Sequence, residues 1–231
     1  MNTRRIFLQS SAALIAAPSF AATAAWPDKP LKIIVPFPPG GTSDVIARLI
    51  TNPLGELLKT TVIVENKTGA NGAVGAAAVA QANDEHSMLL SDMSSLAINA
   101  VMDKALPYKP AQLSGATMLA YSPHLLCTNP SIPANNIKEL AELSKKKPIN
   151  LASSGIGSAN HLGAVEIALA TGMKFVHVPF RGGAQSIADV AAGNTQLVLN
   201  GMVATLPLVQ SGRLKLLGIS KRGDVYLRTL L

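Results

Sequence analysis

A junction in which an apolar strand passes through a glycine turn into a helix recurs four times in this chain, at Gly40, Gly72, Gly155 and Gly182. The first copy, LKIIVPFPPGGTSDVIARLI at residues 31–50, shows the parts most clearly. Its strand is apolar and β-branched without strict alternation, as in a strand that helices cover on both faces. Its turn is rich in proline and glycine, which suit neither a helix nor a central strand. The repetition predicts an α/β fold with mostly parallel sheets and flanking helices.

Each junction also leaves backbone N–H groups free at the start of a helix, where the helix dipole favours negative charge. In open α/β sheets ligands lie beyond the carboxyl ends of the strands, so several junctions can converge on one cleft. The pattern indicates a site for a small anion, although the same glycines could simply form tight turns. The P-loop motif is absent, and Asn160 replaces the third glycine of a dinucleotide motif. A carboxylate is therefore expected rather than a nucleotide.

Composition excludes several other classes of function. The chain is 48% hydrophobic and 14% charged, which is typical of a globular protein with a sizeable core. Aromatic residues make up only 4%, and the basic residues are dispersed, so we expect no nucleic-acid partner. Cys127 is the single cysteine and lies in an apolar run, so it is expected in the core. The histidines show no metal-binding spacing, so neither a metal nor another cofactor is predicted.

The N-terminal residues 1–25 have the features of a signal peptide. Arg4 and Arg5 give a basic start, residues 12–22 are apolar and rich in alanine, and small residues precede Trp26. The apolar run is too short to span a bilayer. The paired arginines match a twin-arginine signal, but an ordinary Sec signal that contains two arginines would look the same. Either route predicts a periplasmic protein that is cleaved before Trp26 or a few residues earlier.

Breaks in the strand–helix rhythm divide the rest of the chain into three parts. Residues 26–105 contain the first two junctions and are expected to form a first lobe. The proline-containing stretch Leu106–Pro110 marks a crossover, and residues 106–213 contain the other two junctions and are expected to form a second lobe. Residues 214–231 begin with an apolar strand that is expected to cross back to the first lobe. A further strand is predicted at Thr117–Tyr121.

Several motifs resemble those of the Bug-type (TctC-like) periplasmic receptors, the solute-binding proteins of tripartite tricarboxylate transporters. In order they read KPLKIIVPFPPGGTSDVIARLI, VIVENKTGANGAVGA, SSGIGSANHLGA, VPFRGGAQSIADVAAG and GRLKLLGISKR, and the match extends from Trp26 to about Arg222. The resemblance implies a two-lobed clamshell, like that of other periplasmic binding proteins, which closes on a small carboxylate-containing solute. It also implies that the chain is a monomer, serves the membrane subunits of such a transporter and catalyses no reaction.

The resemblance assigns ligand contacts to both lobes, mainly at the junction turns. In the first lobe they are Phe37, Gly40, Gly41, Thr42, Asp44 and Ser94, and in the second lobe they are Ser154, Gly155, Ser158, His161, Arg181, Gly182, Gly183 and Asn200. Arg181 is the one cation inside a junction and could pair with a carboxylate, or it could be a solvated surface arginine. We expect the carboxylate of the solute between the Gly40–Thr42 turn and the Ser154–Ser158 turn, held by backbone amides and hydroxyls.

Two departures from the family pattern bear on function. Asn200 stands where the family often has an acidic residue, which leaves selectivity at that position open. The family continues well past the strand at Leu214–Ser220, whereas residues 223–231 do not resemble that continuation. A truncated chain with an incomplete first lobe is therefore expected, with a genuine short variant as the less favoured alternative. Two alternative functions follow: a non-functional remnant of such a receptor, and an exported serine-dependent hydrolase using Ser154 and His161. The hydrolase is disfavoured because no nucleophile elbow or acidic partner is visible.

Overall fold

The computed structural model describes residues 26–221 and 224–228, so the predicted signal peptide lies outside the described residues. The strands are β1 (Leu31–Val35), β2 (Val62–Asn66), β3 (Ser87–Leu89), β4 (His124–Thr128), β5 (Ile149–Ser153), β6 (Phe175–Pro179), β7 (Leu197–Gly201), β8 (Lys215–Lys221) and β9 (Asp224–Arg228). The α-helices are α1 (Thr42–Leu58), α2 (Ala73–Ala80), α3 (Asn99–Met102), α4 (Ile137–Lys146), α5 (Ala159–Thr171), α6 (Gly183–Ala191) and α7 (Met202–Gln210). Short helical turns lie at Ala70–Gly72, Ser94–Ile98 and Pro110–Gln112. The chain forms two lobes, each built on its own sheet.

The first lobe contains a three-stranded parallel sheet with the order β2-β1-β3, as its alternating strands and helices predict. β1 is the middle strand, which explains its unbroken run of apolar residues. Leu31, Ile33 and Val62 form a buried cluster with Ala47 of α1. The alanines of α2 form a second cluster around Tyr108. These two clusters hold the first junction turn at the carboxyl end of β1.

Helix α1 continues past a proline that predicts either a kink or an early end near Asn52. The helix does not end there but runs through Pro53 to Leu58. Proline inside a helix leaves the carbonyl group four residues earlier without its intrahelical partner. That residue is Leu49, which is 68% exposed, so water can satisfy its carbonyl group.

The second lobe contains a six-stranded sheet with the order β6-β5-β7-β4-β8-β9 and helices on both faces. β6, β5 and β7 are parallel to one another, whereas β4, β8 and β9 join by antiparallel pairing. Because successive strand residues point to opposite faces, Leu126 packs with Leu140 of α4 and Ile167 of α5, whereas Leu125 packs with Ile187 of α6. The junction turns of β5 and β6 therefore lie at one end of this sheet.

Strand β8 lies in the larger sheet, where it pairs antiparallel with β4. The expectation that residues 214–231 cross back to the first lobe does not hold for this strand. The physical reason is that β8 is apolar on both faces: Leu217 packs in the cluster of Leu126, and Leu216 packs in the cluster of Leu125. Such a strand is buried best between two layers of helices. Residues 222–223 and 229–231, which belong to the segment predicted to cross back, lie outside the described part of the chain.

The segment between the lobes contains no strand at Thr117–Tyr121, so that prediction is wrong. Residues 114–121 are exposed, and Met118 is 66% accessible. An extended segment becomes a strand only when a neighbouring strand pairs with its N–H and C=O groups. None of the described strands pairs with this segment.

Candidate functional site

The junction turns of the two lobes face each other and are in contact. Pro38, in the first turn, packs against Gly182 so closely that a Cβ built on Gly182 would lie 2.5 Å from Pro38 Cδ. Beside this contact, a Cβ built on Gly40 would lie 3.5 Å from the Cβ of Ala184. The first and fourth junctions therefore form two sides of one interface, as expected for junctions that converge on one cleft.

Helix α1 presents an uncapped N-terminus at this interface. Its N-cap is Gly41, and no acceptor among the described residues bonds the N–H groups of Thr42 and Ser43. Thr42 Oγ1 is buried without a hydrogen-bond partner and packs against Gly201 of the second lobe. The turn requires glycine at Gly40, where φ is +84°, but not at Gly41, where φ is −78°. The start of α1 thus offers N–H and hydroxyl donors to a small anion.

Asp44 lies in the first turn of α1 but is committed to holding the turn. Its carboxylate accepts hydrogen bonds from the Gly40 N–H (2.9 Å), from Asn66 Nδ2 (2.9 Å) and twice from the Arg48 guanidinium (3.0 Å each). Burial opposes ionisation of Asp44, but the hydrogen bonds outweigh it and lower the pKa of the carboxyl group. Four hydrogen bonds fill the accepting capacity of a carboxylate. Asp44 therefore positions the turn, whereas the sequence predicts a ligand contact.

Helix α6 presents a second uncapped N-terminus opposite α1. Its N-cap is Gly182, whose backbone is extended with φ 177°, and the N–H groups of Gly183 and Ala184 have no acceptor among the described residues. Arg181 precedes the helix and is exposed. Its guanidinium makes no ion pair within the described part of the chain. Two helix N-termini with free donors, and a nearby cation, therefore meet between the lobes.

Asn200, a predicted ligand contact, instead fixes the start of α6. Its Nδ2 donates to the Gly183 carbonyl (3.1 Å) and to Ser186 Oγ (3.3 Å), and its Oδ1 accepts from the Gly201 N–H (2.7 Å). The side chain is buried. Both amide hydrogens and the amide oxygen are thus in use, so Asn200 positions α6 in the same way that Asp44 positions the first turn.

Helix α5 differs because the protein itself satisfies most of its N-terminus. Ser158 is the N-cap, and its Oγ accepts from the His161 N–H (3.2 Å). The Oγ of Ser94, from the first lobe, accepts from the Ala159 N–H (3.1 Å). The Ser154–Ser158 turn therefore has fewer free N–H groups than the turns before α1 and α6. This finding does not favour the expected placement of a carboxylate at that turn.

Ser154 and His161 do not form a catalytic pair. Ser154 Oγ accepts from Asn160 Nδ2 (2.7 Å), and His161 Nδ1 accepts from the Gly157 N–H (3.3 Å). The His161 ring stacks on His177, with ring centroids 3.8 Å apart. Burial lowers the pKa of both imidazoles, and the proximity of His161 lowers that of His177 further. A serine nucleophile needs a base within hydrogen-bond reach, so this geometry does not support the hydrolase alternative.

Asn71, which is not among the contacts predicted from the sequence, also faces the opposite lobe. Its Nδ2 lies 4.0 Å from a Cβ built on Gly157, and its Oδ1 is buried with no donor among the described residues. A Cβ built on the adjacent Gly72 would lie 3.4 Å from the ring of Phe37. The interface therefore extends from the first junction to the second. The only sequence signal is the G-A-N-G run, because asparagine tolerates the left-handed conformation that such a loop needs.

The predicted contacts thus fall into three groups. Those at the meeting of α1 and α6 are Gly40, Gly41, Thr42, Arg181, Gly182 and Gly183, and Phe37 precedes this group in the chain, where its ring contacts Gly72. Those around the start of α5 are Ser94, Ser154, Gly155, Ser158 and His161. Asp44 and Asn200 form hydrogen bonds that position the turns before α1 and α6, respectively. Within the described residues no group of three His, Cys, Asp or Glu side chains is placed to hold a metal ion.

Comparison with known proteins points to one family. The model of the family described as "Tripartite tricarboxylate transporter family receptor" matches residues 46–225. Protein BugT of Bordetella pertussis is 34% identical over 210 residues, which cover 89% of this chain and 64% of BugT. The chain spans about 65% of the length of the curated relatives that it matches.

Solved structures share the fold over most of the described chain. A protein described as a periplasmic transporter matches with a TM-score of 0.83 and 34% identity, over 89% of this chain and 71% of that chain. Rpa4515 of R. palustris, solved with adipate, matches with a TM-score of 0.81 and 27% identity, over 89% of this chain and 71% of that one. The periplasmic binding protein BugD matches with a TM-score of 0.76 and 30% identity, over 88% of this chain and 71% of that chain, so the family consists of receptors and binding proteins rather than enzymes.

Proposed function

Because the chain belongs to the tripartite tricarboxylate transporter receptor family, as its motifs predict, we propose that it binds a small carboxylate-containing solute between its two lobes. The observation that carries this proposal is the meeting of two uncapped helix N-termini, those of α1 and α6. Free N–H groups and the dipoles of both helices favour an anion at this point. Arg181 stands at the edge of the site and can add a charge-assisted hydrogen bond.

In this proposal the carboxylate lies between the Gly40–Thr42 turn and the Gly182–Ala184 turn. The first of these turns is part of the expected site, whereas the second replaces the Ser154–Ser158 turn. Support comes from the free N–H groups at both helix starts and from the unpartnered Thr42 Oγ1. The Ser154–Ser158 turn then contacts the rest of the solute. Since Pro38 and Gly182 touch, the solute enters while the lobes are apart, and closure completes the site.

The proposal includes a periplasmic location and a membrane partner. The receptor delivers its solute, as a monomer, to the membrane subunits of a tripartite tricarboxylate transporter. The family match and the likeness to a periplasmic transporter support this role. The signal peptide at residues 1–25 stays a prediction, by the twin-arginine or the Sec route. In the part of the chain that the structure describes, no helix has both the length and the apolar character to cross a membrane.

Thermal unfolding of the exported protein with a panel of small carboxylates tests this function. Each acid is paired with its primary amide, which has a similar size but no charge. A ligand that binds the folded state raises the midpoint of unfolding. At least one acid should therefore stabilise the protein while its amide does not, and calorimetry should show one solute per chain. Equal stabilisation by acid and amide would contradict the anion site, and no stabilisation by any acid would favour a non-functional remnant.

A further inference from the structure

Asn71 lies in a loop whose backbone is held in the left-handed region over several consecutive residues. The φ values are +140° at Gly69, +45° at Ala70, +50° at Asn71 and +89° at Gly72. Left-handed backbone at residues other than glycine costs free energy and persists where the surroundings impose it. The loop is therefore built to hold the Asn71 side chain in one place, at the boundary with the second lobe.

The hydrogen bonds of Asn99 fix which atom of the Asn71 amide faces each direction. Asn99 Nδ2 donates to the carbonyl groups of Asn71 (3.0 Å) and Ala70 (3.4 Å), so Asn99 Oδ1 is left to accept. Asn71 Nδ2 supplies that hydrogen bond at 3.0 Å. Exchange of the Asn71 oxygen and nitrogen would set two oxygens against each other. Asn71 Oδ1 therefore has to find its donor elsewhere.

No donor among the described residues reaches Asn71 Oδ1, although the atom is buried. A buried acceptor that lacks a hydrogen bond is costly, so most such atoms have a partner when the protein is in its working state. Asn71 Nδ2 lies 4.0 Å from a Cβ built on Gly157 of the second lobe, so the amide group that carries Oδ1 stands at the boundary between the lobes, and the adjacent Gly72 contacts Phe37. Phe37 is followed by Pro38, which touches Gly182 at the proposed carboxylate site. The unsatisfied oxygen and the carboxylate site thus belong to the same interface.

We infer that the solute carries a hydrogen-bond donor apart from its bound carboxylate, and that Asn71 Oδ1 accepts from it. The donor is a hydroxyl, amine or amide N–H group. An ionised second carboxylate is disfavoured at this point, because two acceptors would then face each other. This inference rests on the proposed function and narrows the solute to hydroxylated, aminated or amidated carboxylates.

Matched pairs of acids that differ by one donor test the inference by calorimetry. The pairs are succinate with malate, butyrate with 4-hydroxybutyrate and 5-oxohexanoate with glutaramate, together with any other acid found to bind and its hydroxylated analogue. In the wild-type chain the member with the donor should bind at least about tenfold more tightly, as expected for one hydrogen bond to an otherwise unsatisfied group. In Asn71→Gly, which removes the amide and tolerates the same backbone, the two affinities should become equal.

Ala70→Gly is the matched control, because Ala70 is exposed in the same loop and is also left-handed. It should keep the wild-type preference. The readout is the affinity ratio within a pair, so a general loosening of the loop affects both members alike. Three results would overturn the inference while leaving carboxylate binding intact. They are equal affinities within a pair for the wild-type chain, tight binding of donor-free acids alone, and a preference for the donor that survives in Asn71→Gly. Binding of no acid at all would instead remove the proposed function on which it rests.

Discussion

At the scale of single residues, the interface depends on glycines whose missing side chains make room for the opposite lobe. Gly182 has an extended backbone, so a side chain there causes no local strain, but its Cβ would lie 2.5 Å from Pro38 Cδ. We expect Gly182→Ala to weaken carboxylate binding at least about tenfold, or about 1.4 kcal/mol, because the lobes cannot close fully. Gly115→Ala is the control, since no described atom other than those of Gly115 and its two neighbours in the chain lies within 4 Å of its Cβ position. Calorimetry that finds equal affinity in both variants would contradict closure at Gly182.

Asp44 gives a second prediction at this scale, because one carboxylate joins the turn, the helix and Asn66. Asp44→Asn replaces one carboxylate oxygen by an NH2 group, which would face the N–H groups that donate to Asp44 in the wild-type chain. The substitution should lower the free energy of unfolding by roughly 1–3 kcal/mol. Folding lowers the pKa of this carboxyl group below its ordinary value of 3.8. The stabilisation that the ionised Asp44 carboxylate gives to the folded protein is therefore complete above pH 3.8, and it is lost as the pH falls through the lowered pKa. Urea unfolding from pH 7 to pH 2 should show a wild-type advantage that disappears only in acid; an advantage that persists at the lowest pH would exclude this origin.

The sequence places Asp44 and Asn200 near the site but does not reveal what they do there. Asp44 bonds Asn66, which is 22 residues away, and Asn200 bonds Ser186, which is 14 residues away. A motif reports which residue types recur beside a site, but only the fold shows whether their polar atoms are already paired. Asn71 shows the reverse case, because the role proposed for it rests on one buried oxygen with no donor among the described residues, and the G-A-N-G run marks the loop but not that atom.

At the scale of elements, helix α5 is capped once from its own lobe and once from the other. Ser158 Oγ accepts from the His161 N–H, whereas Ser94 Oγ accepts from the Ala159 N–H across the interface. In amide hydrogen exchange we expect Ser94→Ala to accelerate exchange at Ala159 and Ser158→Ala to accelerate exchange at His161, since each variant frees one N–H group. Each variant is the control for the other. No acceleration at Ala159 in Ser94→Ala would show that the lobes are not in contact there in solution.

Most elements follow from apolar runs and glycine turns, and the exceptions have physical causes. The sequence predicts helices at residues 159–170 and 185–192, and α5 and α6 begin at Ala159 and Gly183, because local capping and turn residues define a helix start. Thr117–Tyr121 has strand composition, but strand formation depends on a partner strand that local sequence does not show. β8 is correctly predicted as a strand, yet its assignment to a sheet depends on which helices cover both its faces.

At the scale of the whole molecule, the lobes have separate hydrophobic cores, and none of the described core clusters contains residues of both lobes. The described contacts between them include Pro38 with Gly182 and Ser94 with Ala159. Such an interface contributes little stability by itself, so a solute that bonds both lobes becomes the main link between them. The sequence predicts two lobes from the break in its rhythm. It does not predict that the turn before α6, rather than that before α5, meets the first junction, because this depends on how the sheets are oriented.

This weak coupling predicts that the lobes unfold separately without solute and together with it. Trp26, the single tryptophan, donates from Nε1 to the Glu85 carbonyl in the first lobe, so its fluorescence follows that lobe. Cys127 is buried in the second lobe, and burial raises the pKa of its thiol to about 12, so a thiol reagent labels it only after that lobe opens.

In urea, the fluorescence change should precede labelling, because the three-stranded sheet has the smaller core. The tightest-binding acid of the panel should merge the two transitions, since it stabilises only the closed pair of lobes. Transitions that coincide without any acid would show that the described chain unfolds as one cooperative unit.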